Sequence, residues 1–452
     1  MSWRRRLAIV AVAALGALAA AHFGIRQRAR LEPPTVEVND EPVTEPAPGV
    51  RALGRSTSSS YGKLRVVHLS GTPEQIGFAQ ARLLRPEMVA NEGILLEEFR
   101  RAVRPAPLRW LLLDLAQLRY RDLDRGLDAA RRRELAASAL GFAPDPYADL
   151  FPTYQRFVYL NALYDIALSF ERSPLIGCTS FTFAREAAEG GHSLLARAFD
   201  FDVHDVFDEQ KAVFFVRETG TIPFASVAWP GLPGVVSGMN REGLALVVHG
   251  GRAGEPRAEG EPVVHALRRV LSSARTVEEA VRAFAEREPM VSHIVIAADA
   301  NGATSVIERV PGSPPHARAL PAKAAVSNHF DGPAAADPKN QHVRAATTTL
   351  EREARGKELV ASLDHPATVE DAVRLLRDKR APGGAALPAG DRRAIDAHIA
   401  THGVVFDSGR RRLWVSEAPH LSGRFVAFDL ADEFADPPRT PSGERPSVPA
   451  EP

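Results

Sequence analysis

The chain has 452 residues, and its 56 lysines and arginines balance 56 aspartates and glutamates, giving a formal net charge of zero. That balance argues against a broad nucleic-acid-binding surface, which needs a basic excess. The 45% hydrophobic and 25% charged content is that of a globular protein with room for one large domain or two ordinary ones. A single cysteine, Cys178, excludes an intramolecular disulfide and has two readings: a small buried hydrophobe or a reactive thiol.

Residues 1–30 begin with Arg4, Arg5 and Arg6 and continue as an apolar run from Leu7 to Ala21, the pattern of a signal peptide or a signal anchor. Ala19-Ala20-Ala21 offers small residues for cleavage, whereas Arg26, Arg28 and Arg30 resemble the flank of an uncleaved anchor. Export is expected in both cases, to a membrane-anchored or a free periplasmic or extracellular form. Residues 31–60, rich in Pro, Glu and Ser, are expected to form a solvated linker, and residues 434–452 a disordered Pro-rich tail.

Helical patterns dominate residues 61–177. Thr72-Pro73-Glu74-Gln75 supplies an N-cap, a proline at the first helical position and the partner of a capping box. Further helices are expected over Pro86–Arg101, Leu108–Arg119, Leu123–Leu140 and Tyr147–Phe170. From Cys178 the period shortens to that of strands: Thr179–Phe183, Ser193–Phe199, Val213–Val216, Phe224–Val227, Gly234–Ser237 and Leu244–His249. Helices Pro262–Ser273 and Val277–Glu288 precede strands His293–Ala298, Thr304–Glu308 and Ala324–Asn328. Helices His342–Arg355 and Val369–Arg377 then lead to closing strands Gly403–Phe406, Arg412–Val415 and Phe425–Phe428. Strand pairs with helices segregated between them indicate an α+β domain over residues 178–433.

Cys178 lies at a helix-to-strand junction, in Leu175-Ile176-Gly177-Cys178-Thr179-Ser180-Phe181. A thiol nucleophile activated by histidine is one scheme, but spacing singles out none of the 14 histidines. The other scheme breaks the Gly177–Cys178 bond, so that the new α-amine, with an unperturbed pKa of about 7.7–8.0, takes the thiol proton. Gly177 adds no side chain to crowd the scissile carbonyl, and the same thiol could make the cut.

Gly177-Cys178-Thr179-Ser180-Phe181 followed by Leu195-Ala196-Arg197-Ala198-Phe199-Asp200-Phe201 resembles the N-terminal-nucleophile cysteine hydrolases. Within them the likeness is to the autoproteolytic acyl-coenzyme A:6-aminopenicillanic-acid acyltransferase-like family, and more distantly to acid ceramidase and the bile-salt and penicillin V amidases. Where that family has Asn and Met between its Arg and Asp, this chain has Ala198 and Phe199. The likeness extends through His68–Gly77, Ser237–Leu244, Ser327-Asn328-His329-Phe330 and the hairpin from Thr401 to Ser416.

The resemblance implies a four-layer αββα sandwich preceded by a helical segment. It implies Cys178 as nucleophile of self-cleavage at Gly177–Cys178 and of turnover, with residues 61–177 and 178–433 becoming two chains. Arg197 would stand by the thiolate and Asp200 by the α-ammonium. Both reaching Cys178 needs a bulge or turn, since strand residues three apart face opposite ways. Asn328 would supply an oxyanion donor and Arg344 a second active-site arginine, with His249 or the Gly250 N–H as further oxyanion donors. Asn240 is expected to shape a turn with Gly243. His204, His293 and His402 have no spacing for metal ligation, so no metal or cofactor is assigned.

The implied activity is an amidohydrolase or acyltransferase acting on N-acyl amides through an acyl-thioester. The partners are a small acyl-amide substrate, lipid-like chains included, an amine or acyl-CoA, and a membrane through the N-terminal segment, with no nucleic acid. Two other readings remain: an inactive envelope binding or scaffold protein, and a Cys-His hydrolase that stays uncut.

Overall fold

A computed structural model of the chain describes residues 3–169, 176–201, 204–439 and 444–451. Phe170 and Leu175 of the sequence reading lie outside them. The chain starts with helix α1 (Trp3–Arg28), followed by strands β1 (Thr44–Ala47), β2 (Val50–Leu53), β3 (Ser56–Tyr61) and β4 (Leu64–Gly71). Next come α2 (Pro73–Leu83), α3 (Arg85–Ala102), α4 (Ala106–Arg119), α5 (Ala129–Gly141), α6 (Thr153–Asn161) and the short α7 (Leu163–Leu168). The capping box expected at Thr72 is formed, with Thr72 and Gln75 each receiving the other's backbone N–H.

After this helical stretch come β5 (Ile176–Phe183), β6 (Leu194–Phe201), a single turn α8 (Val206–Glu209), β7 (Ala212–Glu218), β8 (Phe224–Ala228), β9 (Ser237–Asn240) and β10 (Ala245–Gly250). Helices α9 (Val263–Leu271) and α10 (Val277–Ala285) lead to β11 (His293–Ala298), β12 (Thr304–Arg309), β13 (His316–Ala319) and β14 (Lys323–Val326). Helices α11 (Pro338–Ala346), α12 (Thr349–Ala361) and α13 (Val369–Leu376) precede β15 (Ala400–Asp407), β16 (Arg412–Ser416), β17 (Phe425–Asp429) and β18 (Ser447–Val448).

Among the described residues the strands form two sheets. One has the order β1-β2-β3-β4-β7-β8-β9-β10-β11-β12-β13, the other β14-β5-β6-β15-β16-β17-β18. Their facing sides share one apolar layer, in which Val213, Phe215, Val247 and Ile296 of the first meet Leu195, Val404, Phe406 and Phe428 of the second. The outer side of the first sheet packs on α2, α5, α6, α9 and α10 through residues such as Leu246, Phe78, Phe157 and Leu267. The outer side of the second packs on α12 and α13 through Phe181, Ala196, Val360 and Val373. The fold is therefore the expected α+β αββα sandwich. Alternation along β6 decides the faces: Leu195 points between the sheets, while Leu194, Ala196 and Ala198 point outward.

Several segments differ from the sequence reading. Within residues 31–60, read as a solvated linker, β1–β3 form hairpins, and Ser56 and Ser58 are buried. Glycines at their turns (Gly49, Gly54 and Gly62, all at positive φ) let the chain reverse. Strand β4 then pairs in parallel with β7, so the segment before Cys178 is part of the first sheet as well as a set of helices. In the tail, β18 pairs with β17 and Val448 is buried. The helix expected over His342–Arg355 is two, α11 and α12, with extended backbone at Thr347. The Asn240 turn is as expected: its Oδ1 accepts the N–H groups of Glu242 and Leu244 at 3.1 Å, and Gly243 has φ 92°.

Candidate active site

Strands β5 and β6 place Cys178 opposite Phe199, Gly177 opposite Asp200, and Ser180 opposite Arg197. On the face between the sheets, the Arg197 guanidinium reaches Cys178 Sγ at 3.2 Å and sits 4.0 Å from the centre of the Phe199 ring. It is fixed there by the carbonyls of Val248, at 2.7 Å, and Val236, at 3.2 Å, and by the Ser237 hydroxyl. His402 completes this wall, stacked on Phe199 and 3.0 Å from Ser237 Oγ. Cys178 and Arg197 are fully buried. Burial pushes the thiol above its usual range, and Arg197 pulls it partly back.

No bulge separates Arg197 from Asp200, because β6 pairs with β5 in unbroken register. Asp200 therefore faces the other side of the sheet, beside Gly177 rather than beside the thiol. Burial raises its pKa, with Arg352 and Arg392 pulling it down. Its Oδ1 has no hydrogen-bond partner among the described residues. The expected bulge is thus not needed for Asp200 to lie next to the Gly177–Cys178 bond.

Asn328 follows β14 and is held through its own N–H, 2.8 Å from Thr349 Oγ1. Its side-chain oxygen accepts the backbone N–H of Cys178 at 2.8 Å, and its Nδ2 donates to the carbonyl of Gly250 at 3.0 Å. An amide NH2 has two hydrogens, so one remains for a developing oxyanion. Gly250 thus enters the site through its carbonyl.

Both ring nitrogens of His249, offered by the sequence as an oxyanion donor in alternative to the Gly250 N–H, are engaged by protein partners. Its Nδ1 lies 2.9 Å from the Ser327 carbonyl and must donate there, which leaves Nε2 to accept the Ser180 hydroxyl at 2.7 Å. Burial and the Arg197 charge push its pKa well below the ordinary value, so no second ring N–H is available.

Arg344 is not brought to the site: it lies on α11, paired with Asp331 at 3.1 Å. The second arginine that reaches Cys178, besides Arg197, is Arg352, on α12. It donates to the Cys178 carbonyl, to Thr179 Oγ1 at 2.9 Å and to Asn328 Oδ1 at 2.9 Å. The break at Thr347 separates the two. Nothing in the local sequence distinguishes Arg352 from its neighbours Arg344 and Arg355.

Two pockets are lined by neighbours of Cys178. One, of about 120 Å³, is apolar and lined by Phe199, Phe201, Trp229, Tyr164, Leu160 and Leu95. The other, of about 220 Å³, is lined by Gly177, Asn328, Gly250, Arg252, Arg352 and Arg392. A metal is poorly served nearby: His329, Asp331 and Glu353 cluster within reach of one another, but Arg344 and Lys357 already pair with the two carboxylates.

Residues 187–388 match the family model described as acyl-coenzyme A:6-aminopenicillanic acid acyl-transferase. The matched span contains Arg197, Asp200, Asn328 and Arg352 and begins after Cys178. Over that span the chain is similar to the family that the sequence motifs resemble. Among solved structures, the chain is 18% identical to the Caenorhabditis elegans ortholog of N-acylethanolamine-hydrolyzing acid amidase, covering 51% of this chain and 93% of that one at a TM-score of 0.38. Penicillin V acylase from Agrobacterium tumefaciens is 17% identical, with 56% and 86% covered and a TM-score of 0.36. A mutant of conjugated bile acid hydrolase from Clostridium perfringens is 11% identical, with 60% and 96% covered and a TM-score of 0.39. The comparison with curated proteins found no match.

Proposed function

Starting from the relationship over residues 187–388, we propose that this chain is an N-terminal-nucleophile cysteine amidohydrolase or acyltransferase, exported and held at a membrane, that cuts itself between Gly177 and Cys178. The observation that carries this reading is the pair of contacts at one residue. The Cys178 thiol meets a guanidinium, and its backbone N–H, which becomes the amine after the cut, meets Asn328 Oδ1.

In the cut, Cys178 Sγ attacks the Gly177 carbonyl carbon. The S–C bond forms, the C–N bond to Cys178 breaks, and the thiol proton passes to the departing nitrogen. Water then hydrolyses the thioester, freeing the thiol and leaving a Gly177 carboxylate. In turnover the new amine takes the thiol proton, the thiolate attacks the substrate's acyl carbon, and the leaving amine carries that proton away. Water or a second amine then takes the acyl group.

Arg197 favours the thiolate by its charge. Asn328 Oδ1 and Asp200 hold the α-ammonium on its two sides, and the free N–H of Asn328 receives the oxyanion. Arg352 positions Asn328 and the Cys178 carbonyl. The apolar pocket beside Phe199 fits the acyl chain, and the pocket beside Gly177 and Asn328 leaves room for the leaving amine.

The test is to incubate the full-length protein with N-acyl amides and weigh its fragments. An acyl adduct on the fragment starting at Cys178, released by hydroxylamine as a hydroxamate, is the expected result. Turnover with no adduct, or an adduct on another residue, would overturn the assignment.

A further inference from the structure

Helix α4 is built inside out. Its buried positions are Asp114 and Gln117, whereas Leu108, Leu111, Leu112, Leu115 and Leu118 are 38–53% exposed. Their spacing of three and four residues sets these leucines on one stripe, the reverse of a helix on a water-soluble body. Single exposed leucines need no explanation, but a contiguous stripe does.

The surroundings of the stripe point to what covers it. The C-terminal end of α1 rests on α4: His22 Nδ1 lies 2.8–2.9 Å from the Asp114 carboxylate oxygens, and the Arg26 guanidinium is 5.5 Å from the Trp110 ring centre. Helix α1 is apolar from Leu7 to Ala21, and exposed at residues 7–14 and 16–21; its 26 residues give about 39 Å of helix against about 30 Å of bilayer hydrocarbon. If α1 spans a bilayer, His22 and Arg26 emerge at its surface, and so does α4, with Trp110 at the depth that tryptophan favours. Arginines border the stripe at 104, 109 and 119, while Arg100, Arg101, Arg121 and Arg125 are paired with Glu97, Glu98 and Asp122, and Asp114 is occupied by His22. A leucine stripe bordered by arginines complements an anionic lipid surface.

An apolar path leads inward from the same place. A pocket of about 390 Å³ is lined by Trp110 and Leu113 of α4 together with Phe99, Leu95, Leu160 and Leu163. The last three also line the pocket containing Phe199, the residue opposite Cys178. We propose that α4 lies in the surface of an anionic bilayer beside α1, and that the substrate's acyl chain passes from the lipid through these joined pockets to Cys178. The entry path rests on the acyl-amide reading above; the docking of α4 does not.

The docking is tested on the full chain in vesicles of phosphatidylcholine and phosphatidylglycerol, in a Cys178→Ala background. Nitroxide labels are placed through Leu111→Cys, Leu115→Cys and, as a remote control, Glu278→Cys. Labels at 111 and 115 are expected to collide with oxygen and be shielded from a water-soluble nickel chelate, with the control reversed. Chelate-accessible labels at 111 and 115 would overturn the docking, and so would spin–spin broadening, which means a second copy covers α4.

The entry path is tested in the chain that keeps Cys178, with Leu111→Ser/Leu115→Ser. Turnover of a long-chain N-acyl amide held in vesicles should fall about ten-fold, and that of a short soluble one should stay within about two-fold. Equal effects on both substrates, or none, would overturn the path. No turnover of either substrate by the unaltered enzyme would overturn the catalytic reading and leave the label result standing.

Discussion

Asp200 stands against Gly177 so closely that a methyl group on Gly177 would lie 3.2 Å from Asp200 Oδ2 and 3.3 Å from Asp200 Cβ. Glycine before the cysteine thus serves packing as well as access to the carbonyl. Gly177→Ala must displace Asp200 or the strand that carries the scissile bond. Self-cleavage is expected to slow by about ten- to a hundred-fold with the fold retained, because small misplacements of reacting groups are costly. Band intensities on a denaturing gel over time measure it, and an unchanged rate would remove Asp200 from the account.

Arg352 and Arg344 make opposite predictions. Arg352→Ala removes the donors to the Cys178 carbonyl, Thr179 and Asn328, and should cost about 10²–10³ in the rate of processing or turnover. Arg344→Ala loses a partly exposed surface pair and should stay within about two-fold of the parent. The reverse ranking would restore the sequence expectation for Arg344.

Asp165 gives α7 a pH-dependent attachment. Its buried carboxylate accepts the N–H of Val263 at the start of α9, at 3.0 and 3.2 Å, and burial pushes its pKa up to about 8. Since the folded pKa lies above the unfolded value of about 3.9, the fold binds this proton more tightly. Its contribution is complete below the unfolded value and is lost as pH rises through about 8, with a slope up to about 1.4 kcal/mol per pH unit. Asp165→Asn keeps an acceptor oxygen without the titration, so its melting temperature should fall less between pH 5 and 8 than the parent's. Parallel curves would contradict this.

A ring of buried charges joins the segments on either side of Cys178. Arg131 and Glu134 of α5 alternate with Glu218 of β7 and Arg268 of α9, each arginine bonded to both glutamates. Breaking one member leaves the others buried without balance, so Glu218→Gln should cost about 3–5 kcal/mol in urea unfolding. The two fragments should also co-purify after processing. A loss below about 1 kcal/mol would show that the ring is not fully desolvated.

Much of this fold is written in local patterns. The capping box at Thr72, the short strands after Cys178 and the Asn240 turn follow from residues within a few positions of one another. The sandwich itself came with the family resemblance, since strand order depends on pairing between distant segments. The hairpins of β1–β3 were concealed by the prolines, glutamates and serines of residues 31–60, a composition that suggests a solvated chain. Gly49, Gly54 and Gly62 were the turn signals there. At the site, Cys178, Arg197, Asp200 and Asn328 could be named from motifs. Arg352 could not, because Thr347 and Thr348 break one helical pattern into two and only the tertiary fold says which arginine turns inward. The partners of His249 were illegible for a related reason: its two ring nitrogens meet Ser180 and Ser327, and the Ser327 contact comes from a segment far along the chain.

The central claim is that Cys178 becomes the N-terminus of its own fragment. Intact-mass measurement and N-terminal sequencing of the purified full-length chain, beside its Cys178→Ala variant, address it directly. The account predicts a fragment beginning Cys-Thr-Ser-Phe in the parent and an uncut chain in the variant. A folded parent that remains whole, or a cut at this bond that survives Cys178→Ala, would contradict it.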